Sequence, residues 1–314
     1  MAVEMDKKNV ALALSSGGAR GLAHIGAIDA LLEHGFNITS IAGTSMGSIV
    51  GGIYANGQMQ GFREFMTGLN KMDVLMLMDI AVSKKGIIKG EKVFGEISQF
   101  VGNGNIEELP IPFTAIAADL FNHREVIFRH GNLLTALRAS SSVTTVLLPV
   151  HFEKSFLVDG GVVNPLPINR VRRHKNDLLV AINVNAPRKK TIDRTTSQNK
   201  NPQEKKAYKK LLDFVNQKWA KTSSENETPK EMNHGFFDMV SGSFEMMQHK
   251  LTESVLMQQQ PDILVNLPMN LADMLEFYKA AELIEIGYEA TCKQIENYRN
   301  NMSASNGIVD EWYI

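Results

Sequence analysis

Three short stretches carry groups that could do acyl chemistry. In Gly43-Thr44-Ser45-Met46-Gly47 a serine lies between two glycines, after an apolar run and before residues with helical spacing. A strand-to-helix turn this sharp forces the serine into a strained conformation and brings neighbouring chain very close, so small residues are needed two places before and after it. Such an elbow lifts the Ser45 hydroxyl clear of the sheet, where the dipole of the following helix favours negative charge. The second stretch is Ser15-Ser16-Gly17-Gly18-Ala19-Arg20-Gly21, which joins the apolar run Val10 to Leu14 to a segment with Leu22, Ile25, Ile28, Leu31 and Leu32 at helical spacing. Two adjacent glycines before a helix present unpaired backbone N–H groups that can bind a developing oxyanion. A dinucleotide-binding turn is disfavoured, because Ser16 replaces the first glycine of G-x-G-x-x-G and no acidic residue ends the next strand. The third stretch, Val158-Asp159-Gly160-Gly161, aims a carboxylate from a tight turn at a strand end. On its own it also fits an ordinary turn aspartate.

A serine needs a base to act as a nucleophile at neutral pH, and the common arrangement supplies a histidine. In an α/β-hydrolase that histidine comes late, on a loop after a terminal strand, which leaves His174, His234 and His249. None of them sits in such a loop: His174 lies in a charged run, His234 borders a polar segment and His249 falls inside a helical pattern. His24, in the helix after the glycine loop, reads as a packing or hydrogen-bonding residue. Asp159 is the better partner, since it and Ser45 both come from strand-end turns.

The elements that must position these groups alternate between strand and helix. Gly35 closes the first helix, Ile38 to Ala42 is the strand entering the elbow, and Met46 to Asn56 is the helix leaving it. Helices follow over Gln60 to Lys71, Glu91 to Val101 and Leu133 to Ala139, and the Met- and Leu-rich stretch Val74 to Ile80 reads as core. Pro112 to Ala118 is a buried strand with Arg124 to Phe128 as its hairpin neighbour, and further strands are expected over Val146 to Val150, Phe156 to Val158 and Leu178 to Val184. After Asn185 the composition turns polar and lysine-rich through Pro229, with helical period only over Glu204 to Lys221. This reads as a solvated surface insertion, a basic membrane-surface patch or mobile lid being the alternative. Phe236 to Gln259 is a long helix with Phe236, Phe237, Val240, Phe244, Met247, Leu251 and Val255 along one side, which suits core or subunit packing. Ile263 to Val265 is a last short strand and Leu275 to Tyr298 a closing helix.

Composition bounds the rest. The chain has 314 residues, 44% hydrophobic and 21% charged, which fits one globular domain with an elaboration. A net charge of -1 argues against a dedicated nucleic-acid binder. A single cysteine, Cys292, excludes an internal disulfide. The charged start, Met1 to Lys8, is no secretion signal, and no apolar run approaches the roughly 18 residues of a membrane span. The expected location is cytoplasmic, with peripheral contact at a membrane left open.

Taken together and in order, the segments Ala13 to Gly26, Gly43 to Gly47 and Val158 to Gly161 resemble the patatin-like phospholipase family, in its compact bacterial form. The similarity spans about residues 9–186 and resumes near Pro261 to Ile263 and Ala280 to Tyr288. The resemblance implies an α/β fold with a mainly parallel central sheet flanked by helices, formed by residues 9–186 and 261–300. Residues 187–260 would be a helical, lysine-rich insertion packed on or covering that domain, and 301–314 a C-terminal tail. It implies a serine acyl hydrolase for lipid esters of the phospholipase A or lysophospholipase type, without metal or cofactor. By position, Ser45 is the nucleophile and Asp159 its base. Backbone N–H groups of Gly17, Gly18 and Ala19 form the oxyanion hole, with Arg20, Gly21, Gly43, Gly47, Gly160 and Gly161 in support. An acyltransferase using the same pair, or a lipid-binding regulatory protein with impaired catalysis, are the alternatives. Two positions depart from the family. Ser16 stands where the loop usually starts with glycine, and Ser142 to Val146 lacks an expected proline. If Asp159 is the base, His174→Ala, His234→Ala and His249→Ala each leave ester hydrolysis largely intact. A drop of about a hundredfold in any one of them would instead mark that histidine as a general base.

Overall fold

The computed structural model describes residues 8–83, 86–143, 147–152, 154–188 and 236–307. The strand β1 (Lys8–Leu14) leads through the glycine loop to α1 (Ala23–Glu33), β2 (Phe36–Thr44) and α2 (Met46–Ala55). Then come α3 (Met59–Gly68), α4 (Lys71–Leu77), the small hairpin β3 (Ile80–Ser83) and β4 (Gly86–Ile88), and α5 (Glu91–Val101). The strands β5 (Phe113–Asp119) and β6 (Arg124–Phe128) precede α6 (Leu133–Ser140), β7 (Val150–Phe152), β8 (Ser155–Asp159) and β9 (Leu178–Ala186). The described chain ends with α7 (Phe236–Gln258), β10 (Ile263–Pro268) and α8 (Ala280–Gly307).

The main sheet runs β10-β9-β1-β2-β5-β8-β7, with β6 also paired to β5. Its first five strands are parallel, and β6, β7 and β8 form an antiparallel margin. The fold is therefore α/β with a mainly parallel sheet between helices, as the family resemblance implies. Side chains on a strand alternate between faces, and here both faces are buried. Leu12, Leu14, Val180 and Ile182 join the large core cluster on one side. Ala13, Leu179 and Ala181 join Leu166, Ile168 and Val255 on the other.

That second face changes the reading of the long helix. α7 connects two parallel neighbours, β9 and β10, and Val255 packs it on the sheet, so it is a crossover helix built into the α/β layer. Among its described side chains Gln248, Thr252 and Val255 are buried; of the expected apolar side Val255 is thus inside, whereas Met247 is 40% exposed. The lysine-rich stretch and its helix over Glu204 to Lys221 lie outside the described residues.

Other boundaries also move. The helix expected over Gln60 to Lys71 stops at Gly68, and Asn70 caps the separate helix α4 by accepting from the N–H groups of Met72 and Asp73. Of the strand expected over Val146 to Val150, Val146 lies outside the described residues and β7 begins at Val150. The closing helix begins at Ala280, after a 3-10 turn over Phe277–Lys279, and continues to Gly307, so the start of the expected tail is helical. Among the described residues, no helix is long and apolar enough to cross a membrane.

α1 and α8 pack nearly backbone to backbone. A Cβ on Gly26 would lie 1.8 Å from the Ile284 carbonyl oxygen, and one on Gly287 would lie 2.0 Å from that of Ala23. Alanine normally favours a helix over glycine by about 1 kcal/mol, but overpacking here should cost about 1–3 kcal/mol. Gly26→Ala and Gly287→Ala should therefore each lower the urea midpoint, and an unchanged or raised midpoint would contradict this packing.

Candidate active site

β2 delivers Ser45 to the carboxyl end of the sheet in a strained conformation, φ 55° and ψ −124°. Among the described non-glycine residues only His123 shares a positive φ. Such a conformation costs on the order of 1–3 kcal/mol and persists only where the surroundings over-determine it. They do so here. The Ser45 N–H donates to Ser140 Oγ at 3.0 Å, and its carbonyl accepts from the N–H and hydroxyl of Ser48 at 2.9 and 2.7 Å. The flanking glycines are required by space: a Cβ on Gly43 would lie 2.4 Å from the Gly47 oxygen, and one on Gly47 would lie 2.4 Å from the Leu14 oxygen.

Sheet register brings Asp159 level with the elbow. Thr44 pairs with Ile116 on β5, and the next β5 residue, Ala117, pairs with Asp159 on β8. Ser45 Oγ donates to Asp159 Oδ2 at 2.5 Å, and the N–H of Gly161 donates to Oδ1 at 2.6 Å. The Asp159 N–H is itself held by the Ser142 carbonyl at 2.8 Å. Gly160 lies against the Ile116 carbonyl and Gly161 against Gln248 of α7, so the turn is clamped from sheet and helix. Ser45 and Asp159 are 4% and 1% exposed. Burial pushes the Asp159 carboxyl up to about 6, against the opposing pull of the hydrogen bonds from Ser45 and Gly161.

The glycine loop is only partly as expected. The Ala19 N–H donates to the Met274 carbonyl at 2.9 Å, so Ala19 is not a free donor. The N–H groups of Gly17 and Gly18 have no partner among the described residues, and Gly18 lines a cavity together with Ser45. Gly18 has φ +55° and touches Met274, which only glycine tolerates. Ser16 is not at positive φ. Its N–H donates to the Pro165 carbonyl at 2.8 Å, so its backbone does not require glycine and the loop is undistorted there. Gly21 packs on Met46 beside the elbow.

Arg20 is not an open cationic group beside the site. It is 2% exposed and donates to the Ala272 carbonyl at 3.1 Å and to Asn185 Oδ1 at 3.0 Å, with Glu245 of α7 3.6 Å away. Burial lowers its pKa, while Glu245 and Asp273 act in the opposite direction. His24 is fully buried, with Nε2 2.9 Å from the Ser15 carbonyl, and burial lowers it to about 4. It is therefore neutral at pH 7 and must donate from Nε2. His174 donates its backbone N–H to Asp177 and His249 pairs with Glu253, so neither is bonded to Ser45, and His234 lies outside the described residues.

Beside Ser45 lies an apolar cavity of about 150 Å³, walled by Phe62, Phe65 and Met66 of α3, Val74 and Leu77 of α4, and Val93, Phe94 and Ile97 of α5. The Met- and Leu-rich stretch read as core is thus core and cavity wall together. Val74 and Met78 are buried while Met76 is 58% exposed. Nothing in the sequence marked this cavity, because its walls come from separate helices. Ser140 was missed as an elbow support, since it reads as a plain helix end.

The geometry defines a class: an α/β protein that displays a serine at a strained strand-to-helix elbow, against a buried carboxylate and an apolar cavity. The sequence model for patatin-like phospholipase matches residues 12–171, and the chain belongs to the patatin-like phospholipase family, which supports a lipid hydrolase. An uncharacterized NTE family protein of Mycobacterium tuberculosis is 32% identical, with 92% of each chain covered. The lysophospholipase NTE1 of Debaryomyces hansenii is 29% identical over 57% of this chain and 12% of its own. VipD from Legionella pneumophila overlays with a TM-score of 0.46 at 12% identity, covering 93% of this chain and 67% of that one.

The raised carboxyl has a thermodynamic consequence. The folded pKa of about 6 lies above the 3.8 of an ordinary aspartate, so the group's favourable contribution is complete below about pH 4 and is lost as pH rises through 6. At pH 8 the buried charge costs about 3 kcal/mol. Asp159→Asn should therefore raise the thermal midpoint at pH 8, with the gain shrinking toward pH 4. A gain that is constant with pH would contradict a raised carboxyl.

Proposed function

We propose that the protein hydrolyses acyl esters of lipids, of the lysophospholipase or phospholipase A type, through a dyad of Ser45 and Asp159. The observation that carries this reading is the 2.5 Å hydrogen bond from Ser45 Oγ to the buried Asp159 carboxylate. Asp159 accepts the hydroxyl proton as Ser45 Oγ bonds to the ester carbonyl carbon. The carbonyl oxygen becomes an oxyanion, which the N–H groups of Gly17 and Gly18 stabilise. Collapse breaks the ester C–O bond, the leaving alkoxide takes the proton from Asp159, and an acyl-enzyme remains on Ser45. A water then gives its proton to Asp159 and attacks the acyl carbon, and Ser45 leaves with that proton restored.

A carboxyl held near 6 suits both halves of this cycle, because it is mostly ionised at neutral pH and yet is a better base than an ordinary aspartate. The apolar cavity beside Ser45 accommodates an acyl chain. The lysophospholipase name of the Debaryomyces hansenii relative favours a lipid ester as substrate.

With a soluble nitrophenyl ester, Ser45→Ala and Asp159→Asn should each lower kcat by at least about a thousandfold, and Ser45→Ala should abolish fluorophosphonate labelling. In the wild type kcat/KM should rise with pH through about 6 and then level, as Asp159 loses its proton. Labelling that survives in Ser45→Ala, or a profile that falls over that range, would overturn the dyad.

A further inference from the structure

One side chain outside the Ser45–Asp159 pair holds both ends of the glycine loop. Asn185 is the penultimate residue of β9 and is 1% exposed. β1 lies between β9 and β2, and the chain moves outward from β1 in both directions, through β2 to β5 on one side and through β9 to β10 on the other. The carboxyl ends of β1 and β9 thus flank the point where the strand order reverses, which is where open α/β sheets leave a crevice. The glycine loop leaves β1 at this point, over the end of β9.

Asn185 Nδ2 donates to the Ser16 carbonyl at 2.7 Å and lies 3.1 Å from Ser16 Oγ, while its Oδ1 accepts from Arg20 Nη2 at 3.0 Å. The orientation of the carboxamide is fixed by chemistry. A guanidinium can only donate and a carbonyl can only accept, so the atom facing Arg20 must be oxygen and the atom facing Ser16 must be nitrogen. The Asn185 N–H is tied in turn to Asn183 Oδ1 at 3.0 Å. Ser15 Oγ also holds the Ser16 carbonyl, at 3.0 Å, but it reaches only that end of the loop. Asn185 spans both: it grips the residue before Gly17 and the arginine after Ala19, and its Oδ1 is 3.4 Å from where a Cβ on Gly17 would sit. The two N–H groups left without partners lie between these grips.

We infer that Asn185 is a positioning residue, which sets the peptide planes of Gly17 and Gly18 so that their N–H groups meet the oxyanion formed at Ser45. It acts through the loop and is not among the residues lining the cavity. The inference rests on the reading of Gly17 and Gly18 as oxyanion donors. It also gives Ser16 a part, since the serine hydroxyl adds a contact to the same carboxamide.

The test compares full-length wild type, Asn185→Ala and Asn185→Asp on a soluble nitrophenyl ester. It adds binding of a trifluoromethyl ketone, which forms an oxyanion on Ser45, and of the matching alcohol, which does not. In Asn185→Ala kcat should fall about a hundredfold, the size of a lost oxyanion donor, with KM nearly unchanged. Ketone affinity should fall in step with kcat/KM while alcohol affinity stays put. Asn185→Asp keeps the acceptor for Arg20 and loses the donor to Ser16, so it isolates that grip and serves if the alanine variant fails to fold. It should lose about tenfold or more in kcat on the same basis. A folded variant with kcat within about twofold of wild type, or equal losses of ketone and alcohol affinity, would overturn the positioning role alone. Wild-type protein without Ser45-dependent turnover would overturn the parent reading, and this role with it.

Discussion

The hydrogen bond between Ser45 and Asp159 places an ionisable carboxyl where almost no water reaches it. A buried carboxylate costs several kcal/mol unless its oxygens are satisfied, and each Asp159 oxygen here has one donor, a hydroxyl on one side and the Gly161 N–H on the other. The residual penalty appears as the raised pKa. The same exclusion of water that leaves an apolar cavity beside the serine raises the basicity of the aspartate, so in the proposed mechanism one physical condition serves both chemistry and substrate. Stability is given up at this point of the fold for that condition, a common trade at functional sites.

Topology explains how groups so far apart in the chain converge. β1 and β2 are parallel neighbours, so the glycine loop and the elbow leave the sheet at the same end. β8 runs antiparallel to β5 and stops with Asp159 level with the elbow. α7 then closes over both, with Glu245 near Arg20 of the loop and Gln248 against Gly161 of the aspartate turn. A helix that reads in sequence as part of an insertion thus packs against the glycine loop and the aspartate turn.

The elbow, the glycine loop and the aspartate turn were legible because each is a run of consecutive residues whose glycines answer to local backbone crowding. Element order was legible for the same local reason, as in the helix over Glu91–Val101 and the strand over Arg124–Phe128. What failed depended on distant partners. Ala19 loses its free N–H to Met274, far along the chain. α7 buries Val255 of its apolar stripe together with the polar Gln248 and Thr252, which the stripe left out, while Met247 of the stripe stays exposed. Asn185 lies next to the end of a strand whose only other polar residue is Asn183, and its polarity has a use only once Ser16 and Arg20 are beside it. The doubt over Ser16 could be settled only by its backbone angle, which composition does not contain.

A Ser45 nucleophile passes through a covalent intermediate, so the most direct measurement is the intact mass of the protein quenched in acid during turnover of an ester, followed by peptide mapping. With Ser45 as nucleophile, a fraction of molecules should be heavier by one acyl group, with the added mass on the peptide that holds Ser45. Turnover with no acylated protein under conditions that slow deacylation, or an acyl group carried by any other residue, would contradict it.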